Sequence, residues 1–293
     1  MISNITDKWR AFCEWQKQSP QIIKKSAEHH CCHTCGEEYQ GNFCPQCGQS
    51  AQIGRYSFRK AMLLFLDVWG VGNRGMFRTL RDLILRPGYL IRDYISGMQA
   101  AYFPPFKLLF LMTAFTLFAM VGISQEEQDE YDKGFQRAVK GYKESFEKYD
   151  GKKELTESER TDLAWNKVLY FIMESLYEKT ALFFLAVMFL LTIPLYVFFR
   201  KTPHIPDMRF SELLVAMVYI MSMLEIYLIM YYRIPFFGYL MYAWIFLPII
   251  PLKQLSGFKW WRTILYVLLS YLGLCILFIG GIWATTYTLE YLL

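Results

Sequence analysis

Charge is scarce in this 293-residue chain, at 19% of residues, where a soluble domain carries about 25%. Histidine is scarcer still, with four residues in all. There is no His-Glu-x-x-His, no Gly-x-Ser-x-Gly and no P-loop, so the usual signatures of zinc proteases, serine hydrolases and nucleotide hydrolases are missing. His204, the histidine farthest along the chain, stands between two prolines in a polar loop. No catalytic constellation is recognisable, and the expectation leans away from an enzyme. The first thirty residues lack the apolar core of a secretory signal, because Asp7, Lys8, Arg10, Glu14 and Lys17 interrupt them. Gly70, Gly72 and Gly75 formally match a dinucleotide fingerprint, but an amphipathic helix precedes them and no alternating strands follow, so this stretch reads as a joint.

What is abundant is apolar: 54% hydrophobic and 18% aromatic residues, gathered into segments at 108–124, 180–199, 213–232, 234–252 and 263–289. A helix rises about 1.5 Å per residue, so about 20 residues cross a hydrocarbon layer of about 30 Å. Each segment is long enough or nearly so. The expected fold is a mainly α, polytopic membrane protein with about five transmembrane helices.

Charge asymmetry gives an orientation. Residues 53–107 hold nine Arg and Lys against three acids, and basic residues recur at Arg200, Lys201 and Arg209 and at Lys253, Lys259 and Arg262. Segment 125–179 has a net charge of −4. The positive-inside rule then places the amino terminus and loops 200–210 and 253–262 in the cytoplasm, and five spans place the carboxyl terminus outside.

Cys32, Cys35, Cys44 and Cys47 follow the order Cys-x2-Cys-x8-Cys-x2-Cys, and each pair is followed by glycine. Two sulfurs three positions apart grip one ion across a tight turn, and glycine accepts the positive φ that turns amides toward the thiolates. The pattern predicts a zinc ribbon with a closed four-sulfur shell, which is structural because no position stays open for substrate. Unpaired thiolates suit the reducing cytoplasm and agree with the charge-based orientation. Cys31 is a competing ligand through Cys31-x3-Cys35; Cys32 is preferred because it repeats the spacing of the second pair. Iron or a redox dithiol pair are the competing chemistries. Tyr39 and Phe43 flank Gln40-Gly41-Asn42, expected to close a hairpin that unites the two knuckles.

Between ribbon and first span, apolar residues recur at helical spacing from Phe58 to Trp69, then at Phe77, Leu80 and Ile84 beside Arg78 and Arg81, and Pro87 opens a third short helix with Leu90, Ile91, Tyr94 and Ile95. Such helices are expected in the headgroup layer, with Arg78, Arg81, Arg86, Arg92 and Lys107 contacting anionic lipid or a protein partner; packing onto the bundle or a second copy is the alternative. Nucleic acid is disfavoured, since no recognition helix or stacking platform is recognisable.

The expected plan is an N-terminal helical segment (1–28), the ribbon (29–52), basic interfacial helices (53–104), span one (105–124), an extracytoplasmic helical hairpin (125–179) with a capping box at 156–159 and an apolar face through Trp165 and Val168, and spans two to five (180–293). Pro194 is expected to kink span two, while Ser270, Gly273, Gly280 and Ala284 form a small-residue seam. Glu225 is the one ionisable group deep in a span, hence the intramembrane candidate: either a transport residue or an acid hydrogen-bonded to a neighbouring Tyr or Ser.

The strings Phe43-Cys44-Pro45-Gln46-Cys47-Gly48-Gln49, Phe77-Arg78-Thr79-Leu80-Arg81-Asp82-Leu83, Arg86-Pro87-Gly88, Ile91-Arg92-Asp93-Tyr94-Ile95-Ser96-Gly97 and Tyr102-Phe103-Pro104-Pro105-Phe106-Lys107 resemble an uncharacterised bacterial membrane family, domain of unknown function 3667, over about residues 30–120. The resemblance implies an inner-membrane protein with a cytoplasmic zinc ribbon and no assigned activity. The functional expectation is a membrane protein whose structural zinc ribbon docks a partner or senses the membrane surface, with a small-solute or proton-coupled transporter using Glu225 as the alternative. Expected partners are lipids, anionic ones included, and a cytoplasmic protein, with homo-oligomerisation left open.

Overall fold

The computed structural model describes residues 2–20, 27–51, 74–120, 125–148, 155–178, 180–233 and 246–292. The helix expected from Phe58 to Trp69, the glycine joint up to residue 73, and most of the segment expected as span four lie outside these residues. The described chain is mainly helical, with a two-stranded sheet at the cysteines. It divides into two units, residues 1–107 and 108–293, and the division falls within one helix.

In the first unit, α1 (Ile2–Lys17) is followed by β1 (His29–Cys31) and β2 (Glu38–Gln40), then α2 (Arg74–Leu85) and α3 (Pro87–Ile95). β1 and β2 pair antiparallel, His30 opposite Tyr39, so the first cysteine knuckle is itself the hairpin tip. An isolated bridge, Phe43 to Ser50, closes the second knuckle in the same way. This corrects the expected hairpin: Gln40-Gly41-Asn42 links two knuckle hairpins rather than turning one. The physical reason is that a Cys-x-x-Cys-Gly loop already reverses the chain, with Gly36 at φ 76° and Gly48 at φ 75°.

Pro87 opens α3 at a position where its missing N–H costs nothing. After a 3-10 turn at Gln99–Ala101, the Phe103 amide donates to Thr79 Oγ1 at 2.8 Å, and Arg78 Nη1 donates to the Ala101 carbonyl at 3.2 Å. These bonds tie the approach to the next helix onto α2. The face that α2 buries is Met76, Thr79, Asp82 and Leu83, while Phe77 is 64% exposed and Ile84 46% exposed. The greasy stripe read from the sequence therefore points outward.

The division between units falls in α4 (Pro105–Met120), and the second unit continues with α5 (Gln125–Glu147), α6 (Glu157–Glu178), α7 (Thr180–Phe199), α8 (Phe210–Arg233), α9 (Ile249–Ser256) and α10 (Trp260–Leu292). α5 and α6 pack as a hairpin, and α10 packs against both α6 and α7. Thr156 begins α6 as the capping pattern requires, its amide and hydroxyl both reaching Glu159 Oε2 at 3.1 Å. The buried side of α6 centres on Leu163, Ala164 and Val168, whereas Trp165 is exposed. Pro194 lies inside α7, and a Cβ on Gly273 would stand 3.0 Å from its ring. Half of the small-residue seam thus lets α10 approach that proline, while Gly280 has open space beside it.

Three stretches are long and apolar enough to cross a membrane: Gln99–Ala119, Phe210–Met230 and Trp260–Tyr291, with mean hydropathies of 1.4, 2.2 and 2.3. Phe183–Phe199 is a shorter apolar helix. Among the described residues three stretches thus have the length and apolarity of a span, while the expected span two is helical from Thr180 to Phe199 and most of the expected span four lies outside the described residues.

Candidate functional site

The two knuckles superimpose in chemistry as well as in sequence. The amide of Gly36 donates to the Cys32 carbonyl and that of Gly48 to the Cys44 carbonyl, both at 2.9 Å; the amide of Cys32 donates to Glu37 at 2.9 Å and that of Cys44 to Gln49 at 2.8 Å. This repeated loop brings the Sγ atoms of Cys32, Cys35, Cys44 and Cys47 within 4.8 Å of one another. Cys32 lies 3.4 Å from Cys47, and Cys35 lies 3.5 Å from Cys44 and 3.6 Å from Cys47. Sulfurs about 2.3 Å from a tetrahedral ion are separated by about 3.8 Å, so the cluster has the size a four-thiolate cation site requires. Cys31 stands apart, its Sγ directed at the Gly36 carbonyl 3.7 Å away.

The electrostatics call for a cation. The Cys35 amide, first among the causes, pulls the Cys32 thiol down to about 6. For Cys35 the Glu37 amide, first among the causes, also pulls down, yet burial and the neighbouring sulfurs together push the thiol up to about 12. Four thiolates this close cannot all ionise without a counter-charge, so the sulfurs share protons that a divalent ion would replace. Cys32, Tyr39 and Cys44 are the buried side chains of the module, with Ala51 against them. Beside the sulfurs lies an open cleft of about 300 Å³ lined by His29, His30, His33, Tyr39 and Gln49. His30 rests against the Tyr39 ring, centroids 5.7 Å apart, and among the described residues the metal-ligating cluster contains no histidine.

A second polar assembly lies on α2 and α3. Arg86, 2% exposed, pairs with Asp93 at 2.5 Å and donates to the Gln18 carbonyl. Tyr102 donates to the same carboxylate at 3.2 Å and Ser19 at 2.9 Å. Arg86 is the N-cap of α3 and Asp93 lies in its second turn, so the guanidinium reaches along the start of the helix to the carboxylate. Residues 73–117 match the model of a family described as Protein of unknown function (DUF3667). The likeness read from the motifs stands for this segment. Within the matched segment, the Arg-Pro-Gly and Arg-Asp-Tyr strings supply the two ends of a buried ion pair. Comparison with curated proteins and with solved structures returned no match.

The basic residues expected at a headgroup surface separate accordingly. Arg86 is a correction: it is interior, because a carboxylate, a carbonyl and the packing of α3 hold its guanidinium. Arg81 is exposed but paired with Asp82 at 2.7 Å and set over the Trp15 ring at 5.8 Å. Arg92 lies over Tyr89 at 4.9 Å, Arg78 is half-buried against Ala101, and Lys107 is exposed. The sequence reading missed Asp93, Tyr102 and Ser19; the seven-residue spacing was the available signal.

In the second unit Glu225 of α8 is half-buried. Thr116 Oγ1 of α4 lies 2.6 Å from its Oε2 and Thr113 Oγ1 lies 3.4 Å from Oε1. The partners are threonines rather than the expected Tyr or Ser. Two hydroxyls three residues apart on an otherwise apolar helix were the signal that could have found them.

Proposed function

We propose that this is an integral membrane protein, of the bacterial inner membrane by resemblance, in which a cytoplasmic zinc ribbon held by Cys32, Cys35, Cys44 and Cys47 serves as a docking headpiece for a protein partner at the lipid surface. The observation that carries this reading is a closed four-sulfur cluster in the same chain as three lipid-length helices. Zinc in such a shell supplies folding energy and no open coordination position, so the ribbon offers a surface and not a reaction centre. The four cysteines orient the knuckles, and the histidine-lined cleft and the exposed Phe43 ring are the surface they present.

The membrane reading gains support from α10. Trp260 and Trp261 flank its start beside Lys259 and Arg262, and Trp283 stacks on Tyr287 with centroids 6.0 Å apart. From Trp261 to Trp283 the helix rises about 33 Å, close to the thickness of a bilayer core, and aromatic belts favour both interfaces. Between them Leu265, Leu268, Leu272, Ile276 and Ile279 are exposed.

Five crossings remain the proposed count. The His204 amide donates to the Ser256 carbonyl at 3.2 Å, which sets the two basic loops, 200–209 and 253–262, on one side. α8 departs from that side and rises about 36 Å to Arg233. The apolar run 234–252 is read from the sequence as the fourth crossing. That shared basic side is proposed as cytoplasmic.

The test is thiol labelling with a membrane-impermeant reagent in right-side-out and inverted vesicles, together with metal analysis of the purified full chain. One zinc per chain, and cysteines reached only from the cytoplasmic side after chelation, is the expected result. A metal-free folded ribbon, or cysteines labelled from the outside, overturns it. Transport through the bundle is a second reading, favoured by the Glu225 contact with two hydroxyls; solute or proton flux in proteoliposomes that ignores Glu225→Gln removes it.

A further inference from the structure

α1, which the sequence marks only as a helical segment, carries an outward apolar stripe. At about 100° per residue, Ile5, Trp9 and Phe12 fall within about 60° of arc, while Asp7 and Glu14 fall on the opposite side. Ile5 and Trp9 are each 65% exposed. From Trp9 the rings continue onto the next helix: Trp9 to Phe12 at 5.7 Å between centroids, Phe12 to Trp15 at 5.8 Å, and Trp15 to the Arg81 guanidinium of α2 at 5.8 Å. Gln16 Nε2 also ties the two helices, donating to the Leu85 carbonyl at 2.5 Å. On α2, Phe77, Arg81 and Ile84 repeat the same narrow arc, and all three are exposed. One surface thus carries two apolar stripes, joined through Trp15 and Arg81.

Two observations name lipid as its occupant. The first is charge. Lys8 borders the α1 stripe and is exposed, Arg81 stands within the α2 stripe, and Asp82, the one acid of α2, is buried with Arg81 on its carboxylate. Cations at the rim of an aromatic face, with carboxylates turned away, suit an anionic leaflet. The second is position. The Phe103 amide on Thr79 and the Arg78 guanidinium on the Ala101 carbonyl fasten α2 to the start of the lipid-length stretch Gln99–Ala119. A helix held at the head of a span lies within reach of the headgroup layer, where tryptophan and phenylalanine partition.

We propose that α1 and α2 form a lipid-binding face that lies in the plane of an anionic leaflet, with Ile5, Trp9, Phe12, Phe77 and Ile84 at the acyl boundary. The proposal rests on the membrane reading above and adds a second mode of attachment, beside the surface and not across it.

The test uses the full chain in nanodiscs of phosphatidylcholine, with and without phosphatidylglycerol, each doped with a phosphatidylcholine whose acyl chain carries a diazirine. On illumination nitrogen leaves and the carbene inserts into neighbouring C–H bonds, and mass spectrometry maps the adducts. Adducts on 5–17, 75–85 and α10 are expected, with those on α1 and α2 rising several-fold when phosphatidylglycerol is present. Trp9→Glu with Phe77→Glu, both at exposed positions, is expected to lower the α1 and α2 adducts several-fold and to leave α10 unchanged. Labelling of α10 without α1 and α2 overturns this proposal and spares the membrane reading, whereas labelling of none of the three overturns both. Labelling indifferent to phosphatidylglycerol overturns the anionic preference. Crosslinks between the α1 or α2 helices of two copies, in place of lipid adducts, assign the face to a second copy and overturn the proposal as well.

Discussion

The ribbon and α10 fail in water for opposite reasons. The ribbon buries Cys32, Tyr39 and Cys44 with Ala51 and little else, too small a core to offset the entropy of ordering its loops. α10 has apolar surface in excess, and only 11% of its apolar stretch is buried. One element lacks enough to bury and the other lacks enough protein to bury it. In the proposed reading an ion completes the first and lipid completes the second. Between these extremes, the region of α2 and α3 is completed by protein groups, with the Arg86–Asp93 pair held by Gln18, Ser19 and Tyr102.

The sharpest way to break the contrast is at the metal. Cys44→Ser, or zinc chelation, is expected to unfold residues 29–51 outright while membrane insertion persists, read by limited proteolysis and carbonate extraction. Loss of insertion would show that the ribbon and the helices are not separable. Next comes the self-sufficient region: Arg86→Met strands the Asp93 carboxylate and should cost about 3–5 kcal/mol, measured as a fall in the unfolding midpoint in detergent, while pairing it with Asp93→Leu should recover much of that. On the lipid-dependent side, Leu268→Arg places a charge on the exposed face of α10 and is expected to cost insertion about 2.5–3.5 kcal/mol, read by glycosylation-site mapping of topology.

Smaller effects sharpen the account of the bundle. Gly257 caps α9 at φ 75°, and a Cβ there would stand 2.7 Å from His204 Nε2; Gly257→Ala should cost about 1–2 kcal/mol and loosen the loop contact, seen as faster proteolysis at 200–209. Glu225→Gln is expected to change stability by about 1 kcal/mol or less, read as the unfolding midpoint in detergent, since the amide keeps an oxygen and a donor within reach of Thr116 and Thr113.

The cysteine grouping and the apolar segments were legible because both are short-range codes. A three-residue spacing is a property of one turn, and a run of apolar residues is a property of one helix. The knuckle hairpins were half legible: the glycines marked the turns, but the pairing of β1 with β2 depends on residues on either side of the loop meeting across it. The inward setting of Arg86 is not legible, because charge by itself suggests exposure and nothing adjacent in the chain announces Ser19 or Tyr102 as partners for Asp93. The outward stripe on α2 was legible as a stripe, while its direction required knowing that Thr79 receives the Phe103 amide.

Sequence alone determined the donors and the lengths: four thiols two by two, helices long enough for a bilayer, and a lone acid among apolar residues. Those follow from covalent spacing and side-chain chemistry, which do not depend on a partner. Only tertiary structure decided that Cys31 turns away from the sulfurs, that Arg86 faces inward, and that Glu225 meets Thr116. The first is set by the fold of the knuckle, and the other two are meetings of groups distant in the chain, set by packing and hydrogen bonding.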